Sequence, residues 1–271
     1  MGIVIAVISG KGGVGKTTAV ANIGLGVAMN DKSCIVVDFD IGQRNLDMIL
    51  GLENRVVYDM VQVMDEEASV KQALIKSKVN KNLHFLAASQ SKDKSVLNSI
   101  KVEKLISELK DGYDYVILDS PAGIESGFEH TIEFADAAIV VVNPEVSSIR
   151  DADRAIGILD SKSKRVKDGY DVAKYLIINR IVADMVQSGE MLRSEDILDI
   201  LSIKLVGKVP EDSGVIDASN QGKPVILNKN SIAGQAYMRI SARLCGKKVE
   251  MKNVEVNDSN LLTLSDKVVY D

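Results

Sequence analysis

The sequence predicts a doubly wound α/β domain, a mostly parallel sheet flanked by helices. Three observations carry that prediction. Seven short runs rich in β-branched residues recur along the chain, and most are apolar at consecutive positions, as strands buried on both faces must be. Stretches of helical period separate them. Nothing reads as a linker: the 271 residues include only 4 prolines, and there is no internal repeat or low-complexity segment.

The elements follow in order. "IVIAVI" (3–8) is a buried strand, and "AVANIGLGVAMN" (19–30) continues as a helix after a glycine-rich loop. "CIVVD" (34–38) and "LHFLAA" (83–88) are the next two strands. In "KVEKLISELKDG" (101–112), Val102, Leu105, Ile106 and Leu109 share one helical face, and Gly112 supplies a stop. "YVILD" (115–119) and "AAIVVV" (137–142) are strands. After Pro144 comes a long amphipathic helix carrying Ile149, Ala152, Ile156 and Leu159. "YLIIN" (175–179) is a strand, "SEDILDILS" (194–202) a helix with Ser194 as its N-cap, and "KLVGKV" (204–209) the last strand. One domain therefore covers residues 1–247, and 248–271 form a tail of different character.

Composition narrows the function. Hydrophobic residues make up 46% of the chain, enough for a sizeable core. The formal charge is −5, from 33 basic and 38 acidic residues, which argues against a generally basic nucleic-acid surface. Two cysteines, Cys34 and Cys245, are too few for a disulfide framework and fit a reducing compartment. Two histidines, His84 and His130, do not make a zinc cluster. The apolar start is too short to span a membrane and lacks the basic flank of a secretory signal, so the chain reads as soluble and intracellular.

The loop between the first strand and first helix is "SGKGGVGKTT" (9–18). Gly10 to Thr17 fits G-x-x-x-x-G-K-[ST] in the strand-loop-helix setting that motif requires. Without Cβ atoms, Gly12, Gly13 and Gly15 let backbone N–H groups converge on a phosphate, and the helix N-terminus adds its positive dipole end. Lys16 is placed to reach the β- and γ-phosphates, and the Thr17 hydroxyl to ligate Mg²⁺. This is a nucleoside triphosphate site. Lys11 has no evident partner in it and, on the pattern alone, is a solvated loop charge.

Such a site needs acidic partners at strand ends. Asp119 closes an apolar strand, where α/β sheets present ligands, and Gly123 gives the following segment freedom to rearrange around a γ-phosphate. In "VVDFDIGQRNLD", Asp38 and Asp40 straddle Phe39, so continued extension would point both carboxylates to one side. One would position the attacking water and the other support Mg²⁺ through its waters. The alternative, a hydrogen-bonded strand terminus, suits Asp38 better than Asp40.

These segments, with "DFDIGQRNLDMILGLE", "DSPAGIESG", "NPEVSSIRDADRAIGIL" and "VPEDSGVIDASNQGKPV", resemble the MinD family of the deviant Walker A P-loop ATPases, from the N-terminus to about Gly246. The resemblance implies an ATPase that helps place the bacterial division septum. Its ligands would be ATP and Mg²⁺, and its active form a homodimer assembled on ATP. It implies that Lys11 reaches the other subunit's phosphates, like an arginine finger supplied in trans. Residues Gly12, Gly13, Val14, Gly15, Lys16, Thr17 and Thr18 would bind the phosphates, and Asp40 would orient the hydrolytic water. Asn45 would belong to a first switch, and Asp119 to a magnesium-linked second. Asn179 resembles the asparagine that reads adenine, and Pro210 and Glu211 the loop beside the base. Ser148, Asp151, Asp153 and Arg154 would face solvent near the dimer interface, where the inhibitor MinC and the activator MinE compete. Gln43 departs from the leucine usual in relatives. The family implies a cytoplasmic protein peripherally bound to the inner membrane.

Competing readings are a flagellar-number ATPase and a ParA-type partition ATPase of the same group, both less well matched by "DSPAGIESG" and "RNLDMILGLE". The iron protein of nitrogenase-like reductases fails because neither cysteine stands where a bridging cluster needs one. A non-enzymatic nucleotide sensor would not need Lys11, Asp40 and Asp119 together. No specific nucleic acid is expected. The tail "EMKNVEVNDSNLLTLSDKVVYD" departs from the basic anchor helix of the family: Glu250, Glu255, Asp258, Asp266 and Asp271 outnumber Lys252 and Lys267. As a helix it would keep Leu261, Leu262, Leu264, Val268 and Val269 on one broad face. Either a weak lipid anchor or a tail with no membrane role fits that pattern.

Overall fold

The computed structural model describes residues 1–124 and 127–256. The apolar runs form β1 (Ile3–Ile8), β2 (Cys34–Asp38), β3 (Ile75–Lys76), β4 (Leu83–Leu86), β5 (Tyr115–Asp119), β6 (Ala137–Val142), β7 (Ala173–Ile181) and β8 (Lys204–Pro210). Their order in one sheet is β3-β4-β2-β5-β1-β6-β7-β8, and only β3 pairs antiparallel. The doubly wound prediction holds. The unforeseen strand, β3, is a two-residue edge, too short to leave a periodic signal.

Side chains leave alternate faces of each strand, and both faces are covered. In β1, Ile5 and Val7 enter one core cluster while Ala6 and Ile8 enter another. That is why the strand is apolar at every position. The first cluster includes apolar residues of the helices Lys16–Met29 and Ile232–Leu244. On the opposite face, the helix Ser99–Gly112 buries Val102, Leu105, Ile106 and Leu109, and Val146–Lys162 buries Ile149, Ala152, Ile156 and Leu159. Gly112 ends the first of these.

After β1 the chain builds β2 to β5 on one side, then crosses to β6, β7 and β8 on the other. The strand order therefore reverses around β1, and the crevice outside its carboxyl end is where such folds bind ligands.

Ser194 is not the N-cap of its helix. It is the first residue of Ser194–Leu201, and Arg193 occupies the cap position without a side-chain bond. The Glu255 carboxylate, 61 residues further on, accepts from the Ser194 N–H at 3.2 Å and also from its hydroxyl. Lys208 pairs with the same carboxylate at 3.1 Å, leaving the two side chains only 14% and 13% exposed. A tertiary contact thus supplies the negative charge that the helix N-terminus favours. At the other end of this strap, the Arg243 guanidinium donates to the carbonyls of Val206, Val249 and Glu250. Residues 249–256 are thereby held to the body. The amphipathic run of 257–271 lies outside the described residues. Among those described, no helix is long and apolar enough to cross a membrane.

Candidate active site

The glycine-rich loop joins β1 to the helix Lys16–Met29 at the switch point. Gly13 and Gly15 have φ of +79° and +91°, which turns the backbone back on itself. Gly15 is the helix N-cap, and no side chain caps the first turn. Its N–H groups therefore remain available to an anion. Glycine is required at position 15 for a second reason: a Cβ there would lie 2.4 Å from Asn179 Nδ2. That amide donates to the Val14 carbonyl at 2.7 Å, so β7 braces the loop from behind.

Lys16 is 7% exposed and donates to Asp119 Oδ1 at 2.7 Å. Asp119 ends β5 opposite Asp38 at the end of β2, and each is 1% exposed. Burial pushes both carboxyls up. Asp38 is pushed to about 8, first by burial and next by the Asp119 charge beside it. For Asp119, Lys16 and the Thr17 hydroxyl oppose the effect of burial. Asp119 Oδ2 is buried and has no hydrogen-bond partner among the described residues. An orphaned carboxylate oxygen near the Thr17 hydroxyl, with Asp38 alongside, fits a hydrated Mg²⁺, whose waters would supply the missing donors.

The strand β2 ends at Asp38, and the carboxylates of Asp38 and Asp40 find different partners. The Asp38 carboxylate accepts from the N–H groups of Asp40 and Leu46 at 2.9 and 3.4 Å and so turns the chain. Asp40 instead pairs with Lys94 at 3.3 Å. Asn45 follows at the N-cap of Leu46–Leu50, where its side chain makes no capping bond. Arg44, at φ 42°, pairs with Asp47 at 2.6 Å. Gln43 is exposed, so its departure from leucine leaves no buried gap. Gly123, at φ +72°, sits in the segment after Asp119.

Lys11 projects from the loop onto the start of the helix Val146–Lys162, 3.1 Å from Glu145 Oε2 and 3.1 Å from Ser147 Oγ. It does not join Lys16 and Asp119. Asn179 also lines a cleft beside the loop, with Gly15, Thr18, Pro210, Glu211 and Val215. That cleft brings together the loop and the "VPED" segment, which are far apart in the chain. Glu211 pairs with Arg180 at 3.6 Å.

The four residues expected on a solvent-facing helix divide. Asp153 and Arg154 are exposed. Ser148 is buried at 2%, and its hydroxyl accepts from the Asn143 N–H at 3.1 Å, because this turn of helix docks on the end of β6. Asp151 is half-buried, and a Cβ on Gly10 would lie 2.1 Å from its carbonyl. Although distant in sequence, Asp151 is a wall of the phosphate loop. Sequence reasoning missed Lys94, Glu145 and Ser147. All three are ordinary polar surface residues in the pattern, and only the folded chain gives them partners.

The chain matches the family described as AAA domain over residues 2–172. It is 56% identical over 250 residues to the septum site-determining protein MinD of Helicobacter pylori, covering 92% of this chain and 93% of that one. Among solved structures it resembles the MinC:MinD cell division protein complex of Aquifex aeolicus, with a TM-score of 0.84, 45% identity, and coverage of 93% and 99%. It also resembles septum site-determining protein MinD complexed with Mg-ADP from Pyrococcus horikoshii, with a TM-score of 0.78, 26% identity, and coverage of 90% and 96%.

Proposed function

The chain belongs to the MinD family, and from that premise we propose that it is a Mg²⁺-dependent ATPase that pairs on ATP, recruits MinC and is stimulated by MinE to set the division site. The observation that carries the catalytic part is the loop itself. An uncapped helix start and two left-handed glycines surround Lys16, which rests on a buried carboxylate with one oxygen unused.

In this reading the N–H groups of Gly12 to Thr18 hold the phosphates, and Lys16 exchanges Asp119 for the β- and γ-phosphate oxygens. Thr17 would ligate Mg²⁺, with Asp119 and Asp38 holding its waters. Bound Mg²⁺ would neutralise charge on the transferring phosphoryl group. Asp40 orients the attacking water. Asn179 offers its side-chain carbonyl to the adenine amino group in the cleft bordered by Pro210 and Glu211. Asn45 and Gly123 lie in the two segments that respond to the γ-phosphate.

Lys11 supplies the link to dimerisation. Its pair with Glu145 is 44% and 49% exposed, and exposed ion pairs of that kind contribute little. The lysine can therefore exchange it for a partner subunit's phosphate at small cost. Exposed Asp153 and Arg154 offer a surface for MinC and MinE. Residues 257–271 would add a peripheral anchor on the cytoplasmic face of the membrane, weak because its acidic residues forgo the attraction that basic residues have for anionic lipid. Pairing two copies would strengthen it.

Analytical ultracentrifugation tests the central step. With ATP and Mg²⁺, Asp40→Ala should sediment as a dimer and Lys11→Ala as a monomer. A monomeric Asp40→Ala, or a dimeric Lys11→Ala, would remove the trans role of Lys11.

A further inference from the structure

We infer that Lys94 is a positioning residue for hydrolysis, holding the Asp40 carboxylate and tying it to the segment that follows Asp119. The inference rests on the reading of Asp40 as the carboxylate that orients water.

Lys94 Nζ lies 3.3 Å from Asp40 Oδ1, and the two side chains are only 25% and 16% exposed. Among the described residues, no other hydrogen-bond or ion-pair partner engages that carboxylate. With Oδ1 held, Oδ2 remains to accept a water proton.

The lysine is itself held in place. It opens the short turn Lys94–Val96, where the Asp93 side chain accepts from the Ser95 N–H at 2.8 Å. Leu97, which follows, is 7% exposed and belongs to the core beneath. Nearby, the Ser89 carbonyl accepts from the Gly42 N–H at 2.8 Å, joining this loop to the Asp40 turn.

The stem of Lys94 reaches the other side of the site. Its Cδ lies 3.4 Å from where a Gly127 Cβ would stand, beside Pro121 Cγ at 3.5 Å from the same point. One side chain therefore spans the Asp40 turn and the backbone at Gly127. Among the described residues Lys94 pairs with Asp40 and with no phosphate-loop residue, so its effect falls on turnover rather than on nucleotide capture.

Steady-state ATPase measurements on the full-length protein test this with Lys94→Met, which keeps the apolar stem and removes the charge, and Lys94→Arg, which restores it. Lys94→Met should lower basal kcat roughly 10-fold while KM stays within about twofold, since misplacing a reacting group costs rate more than binding. Lys94→Arg should recover most of that loss. Circular dichroism and thermal unfolding would verify that both variants are folded. An unchanged or raised kcat in Lys94→Met, a KM that rises in step with the fall, or an arginine variant no better than methionine would each overturn the inference. Asp40→Asn separates the two levels. If it is inactive while Lys94→Met is normal, only the role of Lys94 falls; if it hydrolyses ATP normally, the reading of Asp40 falls and takes the inference with it.

Discussion

Asp38 should make the nucleotide-free protein lose stability as pH rises through the neutral range. Its folded carboxyl is pushed up to about 8 from an ordinary value of 3.8. Between those values the folded chain keeps a proton that the unfolded chain has released. Stability from this group is complete below pH 3.8 and is lost as pH climbs through 8. From pH 7 to 9 the loss is on the order of 1 kcal/mol. For a chain of this size that lowers Tm by about 2–4 °C. His84, whose pKa burial lowers, makes its contribution mostly below pH 7. Asp119, which burial also raises, and the buried thiols of Cys34 and Cys245, whose unfolded counterparts ionise near 9, add to the downward slope, so the readout is the difference between the wild type and a variant that lacks the Asp38 carboxyl. Asp38→Asn keeps the size of the side chain, and its carbonyl oxygen can still accept from the Asp40 N–H, the shorter of the two bonds. Thermal unfolding of the nucleotide-free protein, at fixed ionic strength, should slope downward from pH 7 to 9 in the wild type and clearly less steeply in Asp38→Asn. A flat wild-type profile, or an equal slope in the variant, would refute the raised Asp38 carboxyl.

Three further outcomes are expected. Gly15→Ala should unfold about 2 kcal/mol more easily and bind ATP poorly, because φ +91° and a 2.4 Å approach to Asn179 both resist a Cβ; urea denaturation and nucleotide titration would measure the two effects. Glu255→Ala should cost roughly 1–3 kcal/mol in urea denaturation, since it removes the partner of Lys208 and the Ser194 amide. Asp153→Lys should leave unstimulated ATPase intact and abolish the responses to MinC and MinE; normal responses would show that this helix face is a solvated surface. The same test is not informative at Asp151, which packs on Gly10.

The sequence by itself determined what local pattern and covalent spacing can express. Strand cores are continuous apolar runs because both sheet faces are covered, so β1, β2, β5 and β6 were legible to the residue. The phosphate loop was legible because its glycines, Lys16 and Thr17 are adjacent in the chain. The helix faces were legible because 3.6-residue periodicity places their apolar positions together. What only the tertiary structure decided are the partners of charges that are distant in sequence. Asp40 meets Lys94, Lys11 rests on Glu145, and Glu255 takes the place at the helix start that Ser194 was expected to fill. Ser148 turned inward, and Asp151 became a wall of the loop, because docking the helix Val146–Lys162 on β6 consumes more of its polar face than its amphipathic pattern implies. A polar side chain carries no record in the sequence of which distant element will fold against it. Its position, burial and ionisation follow from the assembled sheet.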